Sequence, residues 1–305
     1  MASESSAMKN AQFIVNLAPT GLVPTREMTP HVPLTPREIA DQVCALAAQG
    51  VNMVHLHARD PEDGRPTYKK EIYSRIIAAI REKNEELVLC VSTSGRVFTD
   101  FAQRADVLDL NGDLKPDFAS LTLGSMNFNH HPSVNSPQVI KDLARKMLDC
   151  GIRPELEVFE LGMINYAHYL IAKDLLKPPY YFNLILGNVA SAQADMLTTA
   201  LMVRELPAGS FWSLGGIGRF QLRMNAAAIS FGGGVRVGLE DNLFYDDDRR
   251  RLATNHELVE RVVRIAAALG RSPYSHRKLR TAFELPCKGG RGELPGDAGF
   301  TENFS

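Results

Sequence analysis

The feature that most restricts the fold of this chain is a regular alternation of short β-rich runs with longer helical segments. The β-rich runs cover residues 12–21, 51–58, 87–95, 117–125, 154–160, 180–188, 210–218 and 233–241. Helical patterns cover residues 35–50, 69–83, 136–151, 191–206 and 255–270, with weaker signals at 98–110 and 219–231. In the first of them, Thr35, Glu38 and Gly50 form a predicted capping box and a glycine stop.

Alternation of this kind predicts parallel strands, because each crossover helix returns the chain to the same end of the sheet. Eight units with no composition break predict a single-domain (β/α)8 TIM barrel of the α/β class over residues 12–285. A doubly wound open sheet is the alternative, but "NLAPTG" offers one glycine where a dinucleotide-binding loop needs three. We expect residues 1–11 to be a disordered lead-in and residues 286–305 to be a C-terminal tail that could contact a neighbouring subunit.

Charge and cysteine content argue against several classes of protein. Lys plus Arg (34) nearly balance Asp plus Glu (35), without the basic surplus that nucleic-acid-binding proteins usually show. The four cysteines are scattered singly, which favours a reducing compartment over a disulfide framework or a cysteine-rich zinc site. The sequence contains neither a membrane-length apolar run nor an apolar signal core at its start. We therefore expect a cytoplasmic protein that binds neither nucleic acid nor a membrane.

Two histidines interrupt the otherwise apolar run "VNMVHLHARDP", residues 51–61. Side chains two positions apart on a strand point the same way, about 6.6–6.8 Å apart, so His55 and His57 could converge on one ion. A hydrogen-bonded pair of core histidines is the alternative. The pair lies at the end of a strand, and we favour the metal site.

Polar side chains recur at the carboxyl end of nearly every predicted strand, which is where barrel enzymes build their active sites. They include Ser92, Thr93, Ser94, Ser120, Thr122, Ser125, Glu155, Glu157 and Asn188, and Gly95 directly follows the first three. A purely structural barrel would not need two carboxylates inside its fifth strand, where an unpaired charge is costly. The sequence therefore predicts a functional site at this end of the barrel.

The last predicted strand, in "VRVGLEDN", carries Arg236, Glu240 and Asp241. Two histidines and one carboxylate form a three-ligand zinc set, and imidazoles favour a transition metal over magnesium or calcium. Either Glu240 or Asp241 could supply the carboxylate, and spacing alone does not choose between them. Arg236 and Asp241 could instead form a buried ion pair, which is compatible with metal binding by Glu240.

Six motifs occur in order along the chain: "HLHARD", "STSG", "SLTLGSMNF", "PELEVFE", "GGIGR" and "VRVGLEDN". From about residue 12 to 285, the sequence resembles the β-keto acid cleavage enzymes, a family that includes 3-keto-5-aminohexanoate cleavage enzyme. The resemblance implies a zinc-dependent TIM barrel that is usually oligomeric, with a tetramer favoured. It also implies a reaction of a β-keto acid with acetyl-CoA that yields acetoacetate and a new CoA thioester.

The resemblance also implies roles for individual residues. His55, His57 and Glu240 match the family's metal ligands, Asp241 matches its general base, and Arg236 matches the arginine that holds this base. Glu157 matches a carboxylate near the reacting thioester. The expected substrate-binding positions are Ser92, Gly95, Ser120 and Thr122.

The segment "TGLVPTR" departs from the family pattern, because Val23 stands where the best-known member has a glutamate that meets the substrate's amino group. We therefore expect a β-keto acid other than the cationic aminohexanoate. Val23 and Arg26 are expected to shape its pocket, and Arg26 could meet an anionic tail. A zinc-dependent hydrolase is the alternative enzyme, and a non-catalytic metal-binding barrel is the alternative outside catalysis.

Overall fold

Eight parallel strands close into a barrel in the computed structural model, which describes residues 11–129 and 131–286. The strands are β1 (Val15–Leu17), β2 (Met53–Leu56), β3 (Val88–Val91), β4 (Phe118–Thr122), β5 (Arg153–Val158), β6 (Tyr181–Leu186), β7 (Phe211–Gly216) and β8 (Gly234–Val237). Neighbours in the chain are neighbours in the barrel, and β8 pairs with β1 to close it, with Arg236 opposite Asn16. The predicted (β/α)8 barrel is confirmed, and the open-sheet alternative is wrong. The predicted lead-in and tail lie outside the described residues, except for residues 11 and 286.

A helix follows every strand of the barrel. These helices are α1 (Pro36–Ala47), α2 (Lys70–Lys83), α3 (Phe101–Ala105), α4 (Pro137–Cys150), α5 (Leu161–Ala172), α6 (Met196–Arg204), α7 (Gln221–Ser230) and α8 (Asn255–Ala268). The capping box of Thr35 and Glu38 is present at the start of α1. Helix α5 is absent from the sequence-based assignment because "LGMINYAHYLIA" is apolar on most sides and lacks an amphipathic period. Within the described ranges, no helix is long and apolar enough to cross a membrane.

The amino-terminal end of the barrel is filled by an apolar cluster. A ninth helix, α9 (His276–Ala282), packs across this end and contributes Leu279 and, just beyond it, Phe283. The Phe283 ring meets Phe118 and Tyr181 edge-on, with centroids 5.0 and 5.7 Å away. Because apolar side chains occupy this end, the polar residues of the interior are confined to the opposite, carboxyl-terminal end.

Asp117, just before β4, ties α2 and α9 to the barrel. Its carboxylate accepts hydrogen bonds from Arg81 (2.7 Å), Arg280 (2.8 Å) and the main-chain N–H of Leu89 (2.9 Å). All three charged side chains are buried. Burial raises the pKa of Asp117, but the two guanidinium groups outweigh this effect and hold it below its usual value. Loss of this one carboxylate would leave Arg81 with main-chain carbonyl partners alone and Arg280 with the more distant Glu86, 3.5 Å away.

We expect Asp117→Asn to lower the free energy of unfolding by about 3–5 kcal/mol, because breaking a buried ion pair leaves its partners uncompensated. Urea denaturation measures the change, and exposed Asp149→Asn is the control.

The Asp117 pKa is lower in the folded state, so the contribution of Asp117 to the free energy of unfolding is complete above the unfolded pKa of about 3.9 and is lost as the pH falls. The difference in free energy of unfolding between the wild type and Asp117→Asn should therefore be constant near neutral pH and should become smaller in acid. Equal stability of the two proteins at pH 7 would contradict this account.

Candidate metal centre and substrate cavity

His55 and His57 converge at the carboxyl end of β2. Their Nε2 atoms are 3.2 Å apart, and Nε2 of His57 lies 3.1 Å from Oε1 of Glu240. With zinc–nitrogen bonds of about 2.0–2.1 Å, two imidazole nitrogens on one tetrahedral ion are about 3.3 Å apart. The second oxygen of Glu240, Oε2, is buried and has no hydrogen-bond partner among the described residues. These three side chains therefore fit a single divalent transition-metal ion.

Glu155 on β5 fixes the orientation of the His55 ring. Its Oε2 lies 2.5 Å from Nδ1 of His55, and its Oε1 accepts hydrogen bonds from Asn16 (2.6 Å) and Asn183 (3.0 Å). Burial disfavours protonation of His55, but the Glu155 carboxylate outweighs it and raises the pKa of His55 to about 9. With Nδ1 held in this way, Nε2 faces His57 and Glu240, as in carboxylate–histidine–metal arrangements. The sequence placed Glu155 in a strand but gave no sign that it reaches His55.

A second group, His55, Cys90 and Glu155, also brings ligand-type atoms together. Here, however, the Cys90 thiol donates a hydrogen bond to Oε2 of Glu155 at 3.2 Å. Burial, reinforced by Glu155, raises the pKa of the Cys90 thiol well above its usual value. A protonated thiol is a poor metal ligand, so this group better serves as the hydrogen-bonded support of His55.

Arg236 on β8 holds the carboxylates of the site together. Its Nε donates to Oδ2 of Asp241 and its Nη2 to Oε1 of Glu240, both at 2.8 Å. Its Nη1 lies 3.6 Å from Oε1 of Glu157 on β5. Of the two carboxylates that the sequence left open, Glu240 is therefore the one beside His57, and Asp241 is paired with Arg236.

Asp241 lies in an environment that keeps it basic. Burial raises its pKa, and although Arg236 opposes this effect, the pKa stays above its ordinary value. Burial also raises the pKa of Glu157, whose Oε2 accepts a hydrogen bond from the Thr122 hydroxyl at 2.7 Å. A carboxylate with a raised pKa accepts a proton more readily, which is the property that a general base needs.

The loop after β1 packs directly on Glu240. Gly21 has a φ of +69°, and a Cβ at this position would lie 2.5 Å from Cγ of Glu240. Buried Arg59 holds this loop, because its guanidinium donates to the carbonyl oxygens of Gly21 (2.8 Å) and Pro24 (2.9 Å). Only glycine permits both the left-handed backbone and this close approach. Neither Gly21 nor Arg59 was assigned this role from the sequence.

A cavity of about 360 Å³ opens above the metal group at the carboxyl ends of the strands. The residues predicted from the sequence that line it are His57, Val23, Ser92, Thr122, Glu157, Arg236, Glu240 and Asp241. His55 lies beneath His57 and is almost fully buried. The charged groups are thus at the inner end of the cavity, and Val23 is part of its wall.

Three predicted substrate-binding residues do not line this cavity. The Ser120 hydroxyl is buried and accepts a hydrogen bond from the Thr93 main-chain N–H at 3.0 Å. Gly95 packs so tightly that a Cβ would lie 2.5 Å from the Val134 carbonyl oxygen. Arg26 forms an ion pair with Glu38 and donates to the Pro30 carbonyl at 3.1 Å, so its charge is already neutralised. Ser120 and Gly95 can act only from behind the cavity wall.

We expect Glu155→Gln to lower metal affinity by about tenfold to a hundredfold, because the ring of His55 loses the carboxylate that orients it. Titration of the metal-free protein with zinc against a competing chelator measures the change. Exposed Glu82→Gln, on α2, is the matched control and should bind as the wild type does. Unchanged affinity in Glu155→Gln would mean that the carboxylate does not support the metal ligand.

Comparison with known proteins gives a consistent assignment. The family described as beta-keto acid cleavage enzyme matches residues 12–285. A 3-keto-5-aminohexanoate cleavage enzyme from Fusobacterium nucleatum subsp. nucleatum is 39% identical over 90% of this chain and 98% of its own. A 3-dehydrocarnitine:acetyl-CoA trimethylamine transferase from Rhizobium meliloti is 31% identical over 90% and 97%. The solved ternary complex of ObcA with a C4-CoA adduct and oxalate has the same fold, with a TM-score of 0.75 at 23% identity over 84% of this chain and 68% of ObcA. The chain belongs to the beta-keto acid cleavage enzyme family.

Proposed function

We propose that this protein transfers CoA between a β-keto acid and acetyl-CoA with cleavage of a carbon–carbon bond. The β-keto acid RCOCH2COO⁻ and acetyl-CoA would give acetoacetate and the thioester RCO-CoA. The observation that carries the proposal is the position of Asp241 and Arg236, which line one cavity together with the metal ligands His57 and Glu240. A base beside a Lewis-acid site suits proton removal next to a ketone.

We propose zinc as the metal, held by His55, His57 and Glu240. Two imidazoles favour a transition metal, and a three-ligand set leaves coordination positions open. A bound zinc ion would supply Lewis acidity toward the ketone oxygen of the substrate. The orphaned Oε2 of Glu240 supports this assignment, since a buried carboxylate oxygen without a partner is costly unless it meets a cation.

The remaining steps belong to the chain's own residues. Asp241, oriented by Arg236, would remove a proton from the carbon between the ketone and the carboxylate. That carbon would attack the acetyl thioester and expel the CoA thiolate. The thiolate would then attack the original ketone carbon, the bond to the acetoacetate fragment would break, and the proton held by Asp241 would return to the departing carbon. Glu157, held by Thr122, would lie near the reacting thioester.

The Ser92 hydroxyl supports a carboxylate-binding role, because it lies in the cavity wall at the end of β3. Its oxygen also accepts a hydrogen bond from the Ser94 main-chain N–H at 3.2 Å. Ser120 and Gly95 would shape this turn from behind, through Thr93 and Val134. Hydrogen bonds to the substrate carboxylate would hold its bond to the reacting carbon in one orientation. This restraint would disfavour the loss of CO2 from the β-keto acid.

We further propose a cytoplasmic homo-oligomer, with the tetramer favoured by the family resemblance. Val189, after β6, and Met196 and Leu197, at the start of α6, are 69–72% exposed, which supports a subunit contact on this side. The thiols of Cys44, Cys90 and Cys150 are free, as expected in a reducing compartment. The tail, residues 286–305, is a further candidate for contact with a neighbouring subunit.

The function is tested by incubating the zinc-loaded protein with a panel of β-keto acids and measuring acetoacetate with and without acetyl-CoA. We expect acetoacetate and a new thioester only when acetyl-CoA is present. Turnover without acetyl-CoA would instead indicate the zinc hydrolase. Zinc binding without turnover on any member of the panel would favour the non-catalytic barrel.

We expect Asp241→Asn to retain zinc but to lose activity by about 10²–10⁴-fold, because the variant keeps the shape of the base and removes its function. His55→Ala should lose both zinc and activity. Zinc content and acetoacetate formation are measured on the same preparations, and Glu82→Gln is again the control. Near-normal turnover by Asp241→Asn would assign the base to another residue.

A further inference from the structure

In the outer part of the cavity, positively charged side chains are not matched by negatively charged ones. At its inner end, the carboxylates of Glu157, Glu240 and Asp241 surround Arg236. Two more arginines, Arg96 and Arg249, line the cavity. Within residues 11–129 and 131–286, no carboxylate lies within 4.0 Å of either of these guanidinium groups, whereas Arg236 has three. The wall of the cavity therefore carries two cations without counterions.

Arg96 is the more informative of the two, because it is half-buried rather than exposed. Its guanidinium lies over the ring of Phe128, 4.0 Å from the centroid, and Phe128 in turn meets Phe159 edge-on at 5.9 Å. Burial lowers the pKa of Arg96, and the Glu240 carboxylate opposes this effect only in part. Stacking on Phe128 fixes the plane of the guanidinium and leaves its N–H edge available to a ligand.

Other groups near the cavity do not favour a cationic substrate. Val23 gives its part of the wall no negative charge. Arg26, which the sequence offered as a partner for an anionic tail, is paired with Glu38 and lies outside the lining. The acidic residues of the lining are engaged with Arg236 or with the metal group. The free charge that a substrate tail would meet is thus positive.

We propose that Arg96 binds a carboxylate at the distal end of the substrate, so that this enzyme acts on β-keto dicarboxylates. This inference rests on the proposed function and specifies its substrate class. The fork of N–H groups on arginine matches the two oxygens of a carboxylate, and such charge-assisted pairs are stronger than neutral hydrogen bonds. Arg249, exposed at the mouth with a left-handed φ of +59°, adds positive potential along the entry path.

The test compares two six-carbon substrates, 3-oxohexanoate and 3-oxohexanedioate, which differ in the terminal carboxylate. We expect the wild type to prefer the diacid by at least about tenfold in kcat/KM. Arg96→Gln should raise the KM of the diacid about tenfold to a hundredfold, the usual effect of losing a hydrogen bond between charged groups. The KM values of 3-oxohexanoate and of acetyl-CoA should stay the same. Turnover of the monoacid by the variant also shows that it is folded.

Three further variants sharpen the result. Arg96→Lys keeps the charge and should retain part of the preference for the diacid. Arg96→Glu should reverse the sign of the site and favour the cationic 3-oxo-5-aminohexanoate over the diacid. Arg75→Gln, on the exposed face of α2, is the matched control and should behave as the wild type does.

Several outcomes would overturn the inference. If Arg96→Gln weakens both six-carbon acids equally, Arg96 binds the carboxylate that they share. If it raises only the KM of acetyl-CoA, Arg96 binds a phosphate of CoA. If Arg26→Gln removes the preference instead, the tail lies near Arg26.

Calorimetry of diacid binding to the zinc-loaded protein without acetyl-CoA gives an independent readout. If the diacid binds more tightly and this depends on Arg96, the inference about Arg96 stands even if no β-keto acid is cleaved. If monoacids are cleaved and the diacid is not preferred, the inference about Arg96 is wrong and the proposed function stands.

Discussion

The site depends on one buried guanidinium shared by three carboxylates. Arg236 is almost fully buried, and Glu157, Glu240 and Asp241 all lie within 3.6 Å of it. Without this cation, three negative charges in the interior would repel each other and would have to take up protons. With it, Glu240 stays ionised beside the histidines, while Asp241 keeps a raised pKa and a fixed orientation. One side chain thus allows two carboxylates with opposite pKa shifts, the proposed metal ligand and the proposed base, to lie at adjacent positions of the chain.

The barrel separates the residues that stabilise it from those that form this site. At the amino-terminal end, Phe283 and its apolar neighbours fill the interior, and Asp117 binds Arg81 and Arg280. The next layer of the barrel interior is a hydrogen-bonded group of Asn16, His55 and Glu155. His57 lies above this group, and its Nε2 faces Nε2 of His55. The side chains of Asn16, His55 and Glu155 can be buried at this depth because each of them forms a hydrogen bond to a residue of another strand.

The sequence predicted those parts of the structure that depend on local pattern. Alternating β-rich and helical segments yield the barrel, and the two-residue spacing of His55 and His57 puts both rings on one face. What it could not predict depends on contacts between distant residues. Glu155 contacts His55, although the two residues are 100 positions apart in the chain. Arg26, which the sequence suggested as the residue that binds an anionic substrate tail, pairs with Glu38 instead. Likewise, Arg96 becomes a cavity residue because it stacks on Phe128 from a different loop.

The proposed metal site and the proposed substrate pocket draw on different parts of the chain. The proposed metal ligands and the proposed base lie at or just beyond the ends of β2 and β8, and each of these strands pairs with a neighbour on both sides. Val23 and Arg96 belong instead to loops after β1 and β3, and Arg59 secures the first of these loops through its backbone carbonyls rather than through its side chains. A loop held in this way can exchange Val23 without losing its position over Glu240. Relatives at 39% and 31% identity are named for different substrates, an aminohexanoate and 3-dehydrocarnitine, and loops on a barrel are the parts that can vary while the strand ends stay in place.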